Sequence, residues 1–192
     1  MKLLILIGLQ KESIYGALQI KEGEGFTSKI VEKIESLKNN KNYDIIFFRE
    51  ERDLLSKENI DELSSSYRQG IFRNDLDNSD HLELCEEIKA ALNLDGTPYK
   101  KEYIADKDTL FEISLEYSTY PEEIILIGTY TDIDIISNAF ALSAFFPQTQ
   151  ITVWEDCCLG TSKEAHDTAV NAMNNCYIKV TGAPTNDKRK RQ

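Results

Sequence analysis

Residues 124–146 read IILIGTYTDIDIISNAFALSAFF, and this stretch decides the fold. Ile124–Ile127 is a short apolar run of strand length that stops at Gly128, the pattern of a buried strand bounded by a breaker. After Thr129, Tyr130 and Thr131 the period changes. DIDIISNAFALSAFF is apolar almost all round, as a helix buried against a sheet is, and Pro147 ends it. A buried strand that turns at a glycine into a long helix makes a tight elbow. Its backbone N–H groups and the positive end of the helix dipole are expected to face the crevice, a geometry suited to an oxyanion hole or an anion site.

Outward from the elbow the same alternation recurs. Further strand-like runs are Leu3–Ile7, Tyr43–Phe48, Tyr103–Ala105, Ile151–Trp154 and Cys176–Val180. They are β-branched and nearly continuous, as parallel strands covered on both faces are. Thr27-Ser28 opens the amphipathic stretch SKIVEKIESLKNN, with Ile30, Ile34 and Leu37 on one stripe. Asp80 with Glu83, and Thr161 with Glu164, have the spacing of capping boxes before LELCEEIKAALN and AHDTAVNAM. Strands alternating with helices predict a three-layer α/β/α sandwich around an open, mostly parallel six-stranded sheet. The domain is expected over residues 1–182. Residues 50–78 read as a charged, serine-rich insertion near the site, and residues 183–192 as a basic, disordered tail.

The chain has 192 residues, with 33 acidic against 22 basic and a net charge of −11. Four of the basic residues are Lys188, Arg189, Lys190 and Arg191; without them the count is 33 against 18, or −15. So acidic a body repels phosphate backbones and anionic lipid, which excludes nucleic acid and membrane as its main partners. Cys85, Cys157, Cys158 and Cys176 are too few for a disulfide scaffold and match no zinc spacing. The start, MKLLILIGLQKES, lacks a cleavage site, and no apolar run is long enough to span a bilayer. These features point to a cytoplasmic protein with reduced thiols.

In open α/β sheets ligands bind beyond the carboxyl ends of the strands. Those ends are Gly8-Leu9-Gln10, Arg49-Glu50-Glu51, Asp106-Lys107-Asp108 and Gly128 to Asp134. The segment IILIGTYTDIDIISNAFAL resembles the nucleophile elbow of the isochorismatase-like hydrolases, also called the cysteine hydrolase superfamily. ITVWEDCCLGTSKEAHDTAVNAMNNCYIKV is similar to that family's next strand, acidic turn, His-containing helix and last strand. LLILIGLQ is similar to its first strand.

The resemblance implies a catalytic triad: an Asp ending strand one as general base, a Lys after strand three, and the elbow Cys as nucleophile on an amide carbon. This sequence departs from it. Gly8 stands at the Asp position, although Leu9 and Gln10 fit, and Asp134 stands at the Cys position, although Gly128, Thr131 and Asp132 fit. Lys107 or, in another register, Asp106 falls at the Lys position. Asp134, Lys107 and Asp106 are therefore the candidate catalytic residues, and Gly8, Gln10, Gly128, Tyr130 and Thr131 the candidate pocket. Some nicotinamidases of the family also bind a metal through an Asp and two His. Here Arg49-Glu50-Glu51-Arg52 puts Arg52 at a histidine's place, so no metal or other cofactor is expected, and His81 and His166 read as ordinary helical residues.

The residues favour a homologue with a degenerate triad that keeps a pocket for a small-molecule ligand and forms a homo-oligomer, as is common in the family. The alternative is an active hydrolase of a small amide or vinyl ether in which Asp134 is the acid or base. A third reading makes Cys157 or Cys158, after strand five, a displaced nucleophile. Buried structural thiols are the simpler account.

Overall fold

The computed structural model describes residues 1–15, 25–50, 83–92, 99–101, 105–117 and 120–183. Six strands form one sheet: β1 Lys2–Ile7, β2 Tyr43–Glu50, β3 Tyr99–Lys101, β4 Glu123–Thr129, β5 Gln150–Leu159 and β6 Lys179–Thr181. Every strand pairing is parallel, and the order is β3-β2-β1-β4-β5-β6. The chain thus builds outward from β1 in one direction, returns, and builds outward from β4 in the other. The helices are α1 Lys11–Ile14, α2 Phe26–Leu37, α3 Glu86–Leu92, α4 Lys107–Glu116, α5 Ile136–Phe145 and α6 Lys163–Asn175.

Two apolar layers sandwich the sheet, and alternate residues of β1 feed each. Leu3, Ile5 and Ile7 pack with Leu110 and Ile113 of α4, Ala139 and Leu142 of α5, and Met173 of α6. Leu4 and Leu6 pack on the other side with Ile30 and Ile34 of α2 and Ile88 of α3. The apolar runs are continuous because both faces are covered. At the opening edge of the sheet Glu123 is buried and accepts hydrogen bonds from Lys2 Nζ and Thr152 Oγ1, both at 2.6 Å. Burial pushes its carboxyl up, but these two bonds and the Lys2 and Lys179 charges together hold it below its ordinary value. Among the described residues no helix is long and apolar enough to cross a membrane.

Several expected boundaries are corrected. The third strand is Tyr99–Lys101, not Tyr103–Ala105. It is a three-residue edge strand paired to Phe48–Glu50, and Tyr103 and Ile104 lie outside the described residues. The fifth strand does not stop at Trp154 but continues to Leu159, because Gly128 and Thr129 pair with Cys158 and Leu159 after a register shift. Both cysteines are thus inside the strand. The last strand starts at Lys179, not Cys176, which ends α6. Helix α2 starts at Phe26 behind a left-handed Gly25 rather than at Thr27. Helix α6 is capped by Ser162, whose Oγ accepts the Ala165 amide at 3.1 Å, rather than by Thr161. Helix α3 begins at Glu86, with the Cys85 carbonyl accepting the Ile88 and Lys89 amides; Asp80 and most of residues 50–78 lie outside the described residues.

Candidate functional site

The strand order reverses between β1 and β4, and such a switch point opens a crevice beyond the strand ends. Ile7 pairs with Gly128, so Gly8 comes out of β1 beside Thr129, the last residue of β4. The Thr129 hydroxyl donates to the Gly8 carbonyl at 2.5 Å. Gly8 has φ of +67°, and a Cβ there would collide with Thr129 Oγ1. Gly128, with φ of +141°, packs its Cα against the Ile7 carbonyl so closely that no side chain fits. Beyond the crevice Gln10 is buried, its backbone bridged to Leu84.

The elbow is sharper than an ordinary helix start. Tyr130 is left-handed at φ 57°, ψ 58°, an uncommon conformation for a bulky side chain and one that recurs at functional turns. Thr131–Ile135 then form a single π-type turn before α5. The amides of Ile133, Asp134 and Ile135 all donate to the Tyr130 carbonyl, at 2.9, 2.8 and 3.2 Å. These three N–H groups are therefore turned onto the elbow's own backbone.

Asp134 is buried in this turn with 1% exposure. One helical turn on, the fully buried Asn138 donates from Nδ2 to the Asp134 carbonyl at 2.8 Å and accepts the Ala105 amide on Oδ1 at 2.9 Å. That second bond ties the elbow to the residue preceding Asp106 and Lys107. Asp106 is exposed and caps α4, accepting the Thr109 amide at 2.7 Å; this bond holds its carboxyl below the usual range. Lys107 is exposed on the first turn of α4. Thr131 is buried with its Oγ1 2.9 Å from His166 Nδ1, and Asp132 accepts from the amide and hydroxyl of Thr161 at 2.8 and 2.6 Å. Sequence reading missed Asn138 and these ties from the elbow to α6. A groove of about 480 Å³ between the elbow and α6 is lined by Asp132, Ile136, Ser162 and Ala165.

The two thiols of β5 lie in the core. Cys157 and Cys158 are buried in β5, and burial, first among the causes, pushes the Cys157 thiol up to about 11 and raises Cys158 as well. Cys158 Sγ lies 3.9 Å from the Leu126 carbonyl.

The model of the isochorismatase domain matches residues 2–185. The chain belongs to the isochorismatase family. Solved structures agree on the fold. The pyrazinamidase of Pyrococcus horikoshii, in complex with zinc, is 19% identical with a TM-score of 0.71, over 95% of this chain and 99% of that one. The nicotinamidase of Bacillus subtilis is 18% identical at TM-score 0.70, over 94% and 98%. The N-carbamoylsarcosine amidase of Thermoplasma acidophilum is 16% identical at TM-score 0.69, over 97% and 98%. None of the curated proteins compared with the chain matches it in sequence. Residues 51 and 52 and His81 lie outside the described residues, among which no three His, Cys, Asp or Glu side chains are grouped to hold an ion.

Proposed function

We propose that this isochorismatase-family protein keeps a small-molecule crevice at the carboxyl ends of β1 and β4 but has given up thiol-dependent amide hydrolysis. The observation that carries this reading is the backbone at Gly8. Its positive φ and its contact with Thr129 leave no space for the carboxylate that would act as general base. With Asp134 at the elbow, the nucleophile is absent as well. A carboxylate attacking an amide forms an anhydride, a poorer exchange for an amide than a thioester is. The crevice then binds a small ligand in a protein that assembles with copies of itself in the cytoplasm.

A second reading is favoured by the near-complete burial of Asp134. A buried carboxylic acid suits the cleavage of a vinyl ether, which needs a proton donor and no nucleophile. Asp134 would protonate the alkene carbon, and water would add to the resulting oxocarbenium ion and return a proton to the carboxylate. The hemiketal so formed would collapse to a ketone as its ether C–O bond breaks and its hydroxyl proton passes to the leaving alcohol. Lys107 or Asp106 would then be the neighbour of Asp134 across the crevice.

Both readings are tested with the full chain and Asp134→Ala, assayed on small primary amides and on isochorismate, beside a thermal-shift screen of the same compounds. The first reading expects no turnover, and stabilisation by a bound compound. Turnover of isochorismate that vanishes in Asp134→Ala would replace it with the second, and amide turnover abolished by alkylation would overturn both.

A further inference from the structure

His166 lies in the first turns of α6 and is half-buried against the elbow. Its Nδ1 is 2.9 Å from Oγ1 of Thr131, the first residue of the π-type turn, which is fully buried. Among the described residues the Thr131 hydroxyl bonds to His166 alone. Gly160 makes the approach possible, since a Cβ there would stand 2.8 Å from His166 Cβ and 2.9 Å from Asp132 Oδ1. Asp132 grips Thr161 beside it. The elbow is thus latched to the β5–α6 junction at two points, Asp132 to Thr161 and Thr131 to His166.

We propose that His166 is a positioning residue for the elbow, and that its proton decides how Thr131, and with it the turn carrying Asp134, is held. The inference rests on the elbow being the site. A neutral imidazole with its proton on Nε2 accepts the Thr131 hydroxyl at Nδ1. The imidazolium instead donates from Nδ1, so the hydroxyl of the fully buried Thr131 must turn its proton away from the ring. Protonation therefore loosens the turn rather than merely adding charge. The charged groups around the ring are Asp132 and Asp134 on the turn and Lys163, Glu164 and Asp167 on α6. Asp167 interacts electrostatically with His166 while pairing with Lys163 at 2.7 Å, and Asp132 is bonded to Thr161.

The test is amide hydrogen exchange and NMR titration of the full chain. His81 and His166 are its two histidines, so His81→Asn leaves one ring signal to follow. Exchange at Ile133, Asp134 and Ile135, corrected for intrinsic pH dependence, is expected to accelerate severalfold as His166 gains its proton. Their resonances should shift along the same curve. The step should disappear in Thr131→Val, which keeps the imidazole but not the hydroxyl, and in His166→Asn, which keeps a polar atom near the Nδ1 position without an imidazole. Equal exchange on both sides of the titration, or a step that persists in Thr131→Val, would overturn the proposal. The wild-type measurement stands even if a variant does not fold. None of these readouts needs turnover, so a crevice that binds nothing would sink the functional reading and leave this result intact.

Discussion

Asn138 accepts the Ala105 amide at 2.9 Å across 33 residues of chain, and it does so while donating to the carbonyl of Asp134 one turn behind it. One buried amide side chain therefore fixes the distance between the elbow and the loop that delivers Asp106 and Lys107. Removing it leaves a buried N–H and a buried carbonyl short of partners. Asn138→Ala is expected to cost about 3 kcal/mol, read as a lower urea midpoint at unchanged slope. Asn138→Asp keeps the acceptor for Ala105 but faces the Asp134 carbonyl with an oxygen, and should be no more stable.

Restoring the family's residues should not restore its chemistry. Gly8→Asp forces a side chain into a left-handed position already occupied by the Thr129 hydroxyl, at a strain of about 1–3 kcal/mol. The double variant Gly8→Asp, Asp134→Cys is expected to unfold at a lower temperature than the parent and to release no ammonia from small amides. Ammonia release at an enzymatic rate would show that the crevice still has room for the triad.

The thiols should separate by burial. Cys176 is exposed, while Cys85, Cys157 and Cys158 are buried, and burial raises all three buried thiols above their ordinary values. Native iodoacetamide labelling followed by peptide mass spectrometry should modify Cys176 alone at neutral pH, with the others reacting after denaturation. Fast labelling at Cys157 or Cys158 would reopen a thiol mechanism.

Asp106 is predicted to matter to α4 as its cap. Asp106→Ala should lose about 1 kcal/mol at neutral pH, whereas Asp106→Asn keeps most of the cap. The folded carboxyl sits below its unfolded value because the Thr109 amide bonds to it. Its extra stabilisation is thus complete above the unfolded pKa and fades as pH falls through the lower folded one. Urea midpoints of the parent and Asp106→Asn should converge on acidification; parallel curves would contradict the cap.

The alternation of strand and helix was readable because parallel strands covered on both faces must be apolar without interruption, and Leu3–Ile7 and Ile124–Ile127 are. Tyr99–Lys101 escaped notice because an edge strand with one neighbour needs no such run, and its sequence is tyrosine and lysines. The continuation of β5 was hidden by Glu155 and Asp156, a half-buried and an exposed acidic residue within the register shift that precedes Cys158. At the site, Gly128 announced the elbow because a breaker after a buried run has few other meanings. Asn138 with Ala105 and Thr131 with His166 gave no signal, because each pair is joined across more than thirty residues and no short spacing encodes a contact made by tertiary packing.

The buried carboxylate of Glu123 gives the molecule a division of labour. It draws together β1 through Lys2 and β5 through Thr152 at the edge where the strands begin, a full strand length from the mouth at Gly8 and Asp134. An anchor placed there keeps the sheet in register whatever side chains the mouth carries. Side chains at the far ends of β1 and β4 can therefore change without touching the contacts that join the strands where they begin.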